Sequence, residues 1–219
     1  MRLFVDSALP SDWEYFKSLG LLYGATTNPL IFQKQEVNPS METLLELVDI
    51  AEDMGLAELQ LQVTGLDDPE AASERMMALF EAWPEGVVAK VPMTLPGLAA
   101  MRLLEDEVPI TLTAGYEAKQ AILASTMGLR YIAPYFGRLN EAGQDGTKIV
   151  GDMLSICQKA EQPTPPRVLV ASLRSAEQVA DLAALGHDTF TIAPAVFHEL
   201  LSSDLSDQAT QAFEAAAAG

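Results

Sequence analysis

The sequence is poor in the residues most often used for metal sites and disulfides, with one cysteine and two histidines. Because Cys157 has no second cysteine to pair with, neither an internal disulfide nor a cysteine-rich metal centre can form. His187 and His198 have no carboxylate at a recognisable metal-binding spacing, so we predict no zinc or iron site. The sequence therefore predicts metal-free chemistry and fits a reducing compartment, the cytoplasm.

Basic residues are also scarce, since 13 Lys and Arg stand against 31 Asp and Glu, giving a net charge of -18. Nucleic acids and anionic membranes bind proteins through basic surfaces, so we expect neither as a partner. The sequence has no run of 18 apolar residues, and the apolar run at its start is too short for a signal peptide. An anionic substrate would have to be bound by a few arginines gathered at one place.

Three common motifs are missing from the chain: the Gly-x-Ser-x-Gly elbow, the Walker phosphate loop and the Gly-x-Gly-x-x-Gly turn. Their absence argues against a Ser-His-Asp hydrolase and against nucleotide binding by a glycine-rich loop.

Short apolar runs, by contrast, alternate with longer amphipathic stretches from one end of the chain to the other. This alternation is typical of βα units around a parallel sheet. With 49% hydrophobic and 20% charged residues, the chain can bury one sizeable core, and we predict a single domain over residues 1–219. The predicted strands are Leu3 to Asp6, Gly24 to Thr27, Glu58 to Val63, Val87 to Val91, Pro109 to Thr113, Tyr131 to Tyr135, Arg167 to Ser172 and Thr189 to Ala193.

The stretches between these strands have helical periodicity, as in Met41 to Met54 and Pro69 to Trp83. Eight strands and eight helices in 219 residues predict a compact α/β fold, the (β/α)8 TIM barrel. We predict an extra C-terminal helix at about 204–219, packed on the barrel or on a neighbouring subunit. A doubly wound open sheet is the alternative, disfavoured by the missing phosphate-binding turn after the first strand.

Lys90 is the most informative single residue, because every neighbour in the run from Val87 to Met93 is apolar or proline. Burial there would disfavour the ammonium form and lower the pKa of Lys90. A neutral amine can attack a carbonyl and form a Schiff base. The alternative is that Lys90 ends an edge strand and extends its amine into solvent.

Polar residues fall at the ends of the predicted strands, where TIM barrels place their reacting groups. Strand alternation allows several of them to point into the barrel together. A strand-borne lysine among such groups suits a class I aldolase, in which the amine attacks a ketone and a carboxylate or water moves protons. Helix capping or core packing would explain each polar residue separately. These end residues are Asp6, Thr26, Thr27, Asn28, Gln62, Lys90, Thr113, Tyr135 and Ser172.

Five segments, taken in order, resemble the short transaldolase and fructose-6-phosphate aldolase family. The lysine segment and the Thr-Thr-Asn-Pro segment are the most specific of them. The resemblance runs from about Met1 to the final helix and implies a barrel enzyme that needs no metal or organic cofactor. The segments are Val5-Asp6-Ser7, Thr26-Thr27-Asn28-Pro29, Val87 to Thr94, Ala133-Pro134-Tyr135-Phe136-Gly137-Arg138 and Ala171-Ser172-Leu173-Arg174.

The resemblance also implies a role for each matching residue. Lys90 would form a Schiff base with the dihydroxyacetone portion of a ketose, and Asp6 would handle the proton of the C4 hydroxyl. Asn28 and Ser172 would hold the dihydroxyacetone hydroxyls, and Thr26 is a further substrate-binding residue. Arg138 and Arg174 would bind the phosphate of a sugar phosphate, for which guanidinium groups are well suited. A ring-shaped homo-oligomer, as large as a decamer, is implied as well.

Two positions bear on the branch of the family. Family transaldolases usually have glutamate where this chain has Gln62 and phenylalanine where it has Tyr135, whereas the aldolases have glutamine and tyrosine. With Thr113, these two residues could hold the water that exchanges protons with the intermediate. Gln62 and Tyr135 therefore favour aldolase-like activity on fructose 6-phosphate, and true transaldolase is the alternative because Arg174 fits the transaldolase pattern.

Two further hypotheses keep the barrel but not the covalent step. One is a sugar-phosphate isomerase that uses Lys90 or Asp6 as a base. The other is a barrel that binds a sugar phosphate without turnover.

Overall fold

Eight parallel strands close into a barrel in the computed structural model, which describes residues 1–104 and 106–218. Each strand pairs with the next along the chain, and the first pairs with the eighth, Phe4 lying opposite Thr191. The open-sheet alternative is therefore wrong. The strands are β1 (Arg2–Asp6), β2 (Gly24–Thr26), β3 (Glu58–Gln62), β4 (Val87–Pro92), β5 (Ile110–Gly115), β6 (Tyr131–Pro134), β7 (Arg167–Val170) and β8 (Thr189–Ile192).

Helices connect consecutive strands and surround the barrel, as the alternating sequence pattern predicts. Within the described residues they are α1 (Pro10–Ser18), α2 (Pro29–Lys34), α3 (Met41–Asp53), α4 (Pro69–Ala82), α5 (Leu95–Met101), α6 (Gln120–Thr126), α7 (Phe136–Glu141), α8 (Gly146–Cys157), α9 (Ala176–Ala184), α10 (Pro194–Leu201) and α11 (Asp204–Ala217). None of them is long and apolar enough to cross a membrane.

The predicted (β/α)8 fold is confirmed, and the predicted strands agree with the observed ones to within two residues at each end. Two short helices, α2 and α7, were not predicted because six residues give too little periodicity to recognise. Each begins just beyond the carboxyl end of a strand, β2 or β6, and so lies at the mouth of the barrel.

The barrel interior changes from aromatic and apolar in its middle to polar at the carboxyl ends of the strands. Phe4, Val88, Tyr131, Ala133 and Leu169 pack together inside the barrel. Two residues further along β1 and β4, on the same faces, come Asp6 and Lys90. The strand pleat therefore places a carboxyl and an amine directly above an apolar layer.

The amino-terminal end of the barrel is filled by a buried carboxylate, Glu58, which is 0% exposed. Its Oε1 accepts a hydrogen bond of 2.8 Å from the Tyr131 hydroxyl and lies 2.9 Å from Nη2 of Arg130 and 3.7 Å from Nη1 of Arg2. Gln60 Nε2 donates to its other oxygen at 3.2 Å. Burial and the negative charge of Glu58 both raise the pKa of Tyr131, so this tyrosine stays a donor.

The terminal helix α11 contains no buried residue, although Leu205, Ala209 and Phe213 recur at four-residue spacing on one face. Leu205 is 78% exposed and Phe213 is 71% exposed. We predicted that this helix packs either on its own barrel or on a neighbouring subunit. The structure does not show it buried against its own barrel. A neighbouring copy of the chain is the remaining expectation.

Replacing Glu58 with alanine should lower the free energy of unfolding by about 3–5 kcal/mol, because it leaves two guanidinium groups and a buried tyrosine hydroxyl without their acceptor. Chemical denaturation would measure the loss. Glu81→Ala, an exposed change in α4, is the control and should stay within about 0.5 kcal/mol of the parent. A Glu58→Ala protein as stable as the control would contradict this account of the cluster.

Replacing Phe213 with glutamate should reduce the molar mass measured by light scattering, because a charge would then lie on the apolar face of α11. Circular dichroism should be unchanged, since no buried residue is touched. Gln211→Glu adds the same charge on another face of the helix and should keep the parent mass. Equal masses for all three proteins would contradict association through this face.

Candidate active site

Lys90 lies on the inner face of β4 and is 3% exposed. Its Nζ donates a hydrogen bond of 2.9 Å to the carbonyl oxygen of Thr27, at the end of β2. No ion pair to Nζ is found among the described residues. Desolvation lowers the pKa of Lys90, and the negative charge of Asp6 opposes that shift only in part. The amine is therefore held in place by a neutral acceptor and is biased toward its nucleophilic form.

Asp6 ends β1 beside this amine and is only partly exposed. Desolvation raises the pKa of Asp6, while the charge of Lys90 and a hydrogen bond from Thr26 counteract the rise. The Thr26 hydroxyl donates to Oδ1 of Asp6 at 2.7 Å and also contacts the Thr191 hydroxyl at 2.5 Å. Burial thus favours the neutral form of both groups, the amine and the carboxyl.

Asn28 connects β2 to α2 and serves as the N-cap of that helix. Its Oδ1 accepts hydrogen bonds from the backbone N–H groups of Leu30 (3.0 Å) and Ile31 (3.2 Å). Since the oxygen is used for capping, the amide N–H₂ is the part of Asn28 left to donate to a ligand. Pro29 at the first helical position fits this start of the helix.

Two residues at strand ends have left-handed backbone conformations although neither is glycine. These are Ala114 in β5, with φ of 59°, and Ser172 just after β7, with φ of 63°. Such conformations cost on the order of 1–3 kcal/mol and gather at functional sites. The one at Ser172 is held by Gly137, whose N–H donates to the Ser172 carbonyl oxygen at 2.9 Å. A β-carbon at Gly137 would lie 2.1 Å from that oxygen, so only glycine permits the approach.

The two predicted phosphate-binding arginines both lie at the exposed rim of the barrel mouth. Arg138, in α7, lies over the ring of Tyr135 with 5.2 Å between the guanidinium carbon and the ring centroid. Arg174, after β7, is bound by Glu141, whose Oε1 lies 2.9 Å from both Nε and Nη2. The sequence did not indicate Glu141, because only the fold brings α7 beside the loop after β7.

Thr113, in β5, and Tyr135, directly after the neighbouring strand β6, share a hydrogen bond of 3.0 Å between their hydroxyls. Burial raises the pKa of Tyr135, with the hydrogen bond it shares with Thr113 acting against the shift. Gln62, at the end of β3, donates from Nε2 to the carbonyl oxygen of Lys90 at 3.0 Å. Gln62 therefore adjoins the lysine through its backbone rather than through its amine.

The barrel mouth contains two adjoining cavities, and the predicted site residues divide between them. A cavity of about 220 Å³ is lined by Lys90 and Asp6 together with Asn28, Tyr135, Ser172, Arg138 and Arg174. A second, of about 440 Å³, is lined by Gln62 and Thr113 and shares Asn28, Tyr135 and Arg138 with the first. Thr26 is 0% exposed and contacts Asp6, so it supports that carboxyl from within the barrel wall. The structure thus brings nine of the ten predicted site residues to one mouth, with the tenth directly beside them.

Lys34 lines the smaller cavity as well, and sequence reasoning missed it. It lies in the last turn of α2, the short helix capped by Asn28. The available signal was its distance of six residues from Asn28, which is informative only once a helix is known to start there.

A larger cavity of about 770 Å³ lies at the opposite end of the barrel and includes Arg2, Arg130 and Arg167 in its lining. Arg2 and Arg130 converge on Glu58, and Arg167 pairs with Asp188 at 2.6 Å. Neither a lysine nor a cysteine is among the described residues of its lining. Size alone therefore does not identify the site, and the mouth with the buried amine is the better candidate.

Comparison with known proteins places the chain in a family. The family model "Transaldolase/Fructose-6-phosphate aldolase" matches residues 3–218. A probable transaldolase of Nitrosopumilus maritimus (strain SCM1) is 32% identical over 209 residues, which are 94% of this chain and 90% of that protein. A probable transaldolase of Maricaulis maris (strain MCS10) is 33% identical over 217 residues, 98% of this chain and 95% of that protein.

Solved structures of mandelate oxidase share the barrel fold and no more than that. One matches with a TM-score of 0.61 at 16% identity and covers 88% of this chain. Another matches with a TM-score of 0.51 at 18% identity and covers 69% of this chain. This chain spans 65% and 52% of those longer chains, respectively. The family model and the two relatives cover nearly the whole chain. The chain therefore belongs to the transaldolase/fructose-6-phosphate aldolase family and is an enzyme of the Schiff-base type.

Proposed function

We propose that this enzyme acts on fructose 6-phosphate, cleaving or forming the C3–C4 bond and releasing the dihydroxyacetone unit, as an aldolase does. The observation that carries the proposal is the buried amine of Lys90, which shares one cavity with Asp6 and two arginines. A cavity of about 220 Å³ accommodates part of a sugar phosphate, with the remainder extending along the adjoining cavity.

In the proposed reaction, the neutral amine of Lys90 attacks C2 of the open-chain ketose, and loss of water gives a protonated iminium. That cation lies beside Asp6 and favours its carboxylate form, so Asp6 becomes a base when one is needed. Asp6 takes the proton of the C4 hydroxyl while the C3–C4 bond breaks and its electrons move to the iminium. Glyceraldehyde 3-phosphate leaves, and an enamine of dihydroxyacetone remains on Lys90.

Release of the three-carbon unit requires a proton on C3 and then water at C2. A water held by Thr113, Gln62 and Tyr135 would supply the proton, since the raised pKa of Tyr135 keeps its hydroxyl a donor. Hydrolysis of the iminium returns Lys90 and dihydroxyacetone. The N–H₂ group of Asn28 and the hydroxyl of Ser172 line the same cavity and are suited to hold the hydroxyls of this unit.

True transaldolase activity, in which the unit passes to erythrose 4-phosphate, is the second candidate. The curated relatives named above support it, as does Arg174 in a segment of the transaldolase pattern. The neutral side chain of Gln62 and the hydroxyl of Tyr135 support release to water. The proposal follows these two residues because Gln62 bonds to the Lys90 backbone and Tyr135 to Thr113, and these side chains are the proposed holders of the water that exchanges the proton.

The isomerase and binding-only hypotheses would use the same arginines but give the desolvated amine of Lys90 no covalent role. Family membership also argues against a barrel that only binds. Action in the cytoplasm and assembly into a ring-shaped homo-oligomer remain predictions from the sequence.

Borohydride added together with fructose 6-phosphate should attach the reduced three-carbon or six-carbon unit to Lys90, as peptide mass spectrometry would show. Lys90→Met should give no adduct and should lower turnover by about 10³–10⁶-fold. Lys159→Met, an exposed change after α8, is the matched control. A folded parent protein that forms no adduct would contradict the covalent mechanism.

The same trapping reaction should depend on pH in a defined direction. Adduct yield should rise with pH and level off well below 10.5, because desolvation lowers the pKa of Lys90. Asp6→Asn removes a negative charge that raises this pKa, so the rise should move to lower pH while turnover falls. Movement to higher pH in Asp6→Asn would contradict this electrostatic relation between the two residues.

Replacing Gln62 with glutamate should shift the partition of the enamine toward transfer, by about tenfold, because a carboxylate changes how the neighbouring water is polarised. The measurement compares the rates of dihydroxyacetone release with and without erythrose 4-phosphate. Gln62→Met keeps the size without the charge and should not favour transfer. Equal partition in the parent and the Gln62→Glu protein would contradict the branch assignment.

A further inference from the structure

The charged groups around the barrel mouth extend beyond the two arginines of the proposed phosphate site. Lys34 lines the cavity that contains Arg138, Arg174 and the amine of Lys90. In a chain with only 13 Lys and Arg and a net charge of -18, three cationic side chains besides the buried amine in one lining are a local exception. Asp6 is the only carboxylate among the described residues of that lining.

Lys34 reaches this position because α2, capped by Asn28, begins at Pro29, three residues after the end of β2. The lysine lies in the last turn of α2, where a cation also favours the helix dipole. The favourable interaction with the helix dipole alone would not place Lys34 in the lining of a cavity. Its presence there, in one lining with two arginines from other elements, indicates a shared anionic ligand.

Glu141 adds a negative charge next to Arg174 and so acts against the attraction of an anion by these cations. Its Oε1 lies 2.9 Å from both Nε and Nη2 of Arg174, so it already takes two donors of that guanidinium. Its side chain is 59% exposed and that of Arg174 is 52% exposed, so water screens the ion pair, and such pairs are weak. A phosphate dianion approaching Arg174 would therefore displace Glu141 and meet its negative charge nearby.

We propose that the phosphate subsite of this enzyme is set by two further residues, Lys34 as a third cation that attracts the phosphate and Glu141 as a built-in counter-ion that competes with it for Arg174. The inference rests on the proposed function, since it assumes a substrate whose phosphate lies at Arg138 and Arg174. Glu141 weakens binding of the phosphorylated substrate relative to a ketose or aldose without phosphate. These two residues thus determine how strongly the enzyme prefers phosphorylated sugars.

The test uses glucitol 6-phosphate, an open-chain polyol phosphate with no carbonyl, so that binding is measured apart from Schiff-base chemistry. Titration calorimetry on the full-length protein should show that Lys34→Gln raises the dissociation constant about threefold to tenfold. Glu141→Gln should lower it about twofold to fivefold. Both effects should shrink at high salt, because the charges are exposed. The KM for fructose 6-phosphate should rise in Lys34→Gln and fall in Glu141→Gln, and the KM for ketols without phosphate should change by less.

Matched controls carry the same charge changes at the other end of the barrel. Lys159 follows α8 and Glu81 lies in the last turn of α4, and both are exposed. Lys159→Gln and Glu81→Gln should leave the dissociation constant of the polyol phosphate unchanged. Equal effects from a distant control would show that net charge rather than the site is responsible, and this would overturn the proposal.

Other outcomes are equally distinct. Weaker binding of the polyol phosphate in Glu141→Gln would mean that Glu141 holds Arg174 in position, and this would overturn its competing role. Unchanged binding in Lys34→Gln would overturn the claim that Lys34 attracts the phosphate. If borohydride trapping gives no adduct at Lys90 while the dissociation constants of the polyol phosphate change as expected, the proposed reaction fails and the phosphate subsite stands. If the adduct forms but neither variant alters binding, the reaction stands and this inference fails.

Discussion

The burial of one amine is the constraint around which the barrel mouth is organised. Lys90 is 3% exposed, and the desolvation that makes it nucleophilic would be unfavourable for its charged form. The surroundings limit this penalty in two ways. The carbonyl oxygen of Thr27 accepts a hydrogen bond from either protonation state, and the carboxyl of Asp6 lies close enough to stabilise positive charge when it develops. The amine is therefore stable as a neutral group before reaction and as a cation after it.

The closed barrel makes this arrangement possible because the residues that stabilise the fold and the residues of the candidate site lie at different positions along its axis. At the amino-terminal end, Glu58 is surrounded by donors and paired with two arginines. An apolar and aromatic layer follows, and the polar groups of the site lie beyond it, at the carboxyl ends of the strands. The two strained strand-end residues lie at the same end of the barrel as the candidate site, since Ala114 and Ser172 adopt left-handed conformations at the carboxyl ends of β5 and β7.

Sequence reasoning could predict the barrel and most of the site because both depend on local pattern. Alternating runs determine the strands, and strand periodicity determines that Asp6, Gln62 and Lys90 face inward. It could not predict contacts made between elements distant along the chain. Glu141 meets Arg174 only because α7 begins at the end of β6 and the loop after β7 passes beside it. The position of Lys34 depends similarly on α2, a six-residue helix with too little periodicity to recognise.

The strongly acidic composition and an anionic substrate are compatible for a reason of length scale. At physiological ionic strength, charges interact over about 8 Å, so most of the -18 net charge is screened from a ligand at the barrel mouth. In the proposed binding mode, the phosphate meets the local set of Arg138, Arg174 and Lys34, offset by Glu141. Solubility can therefore follow from the acidic surface while affinity follows from a few side chains at the rim. The same screening means that, under this proposal, single charges at the rim adjust the affinity for phosphate independently of the buried Lys90 and Asp6.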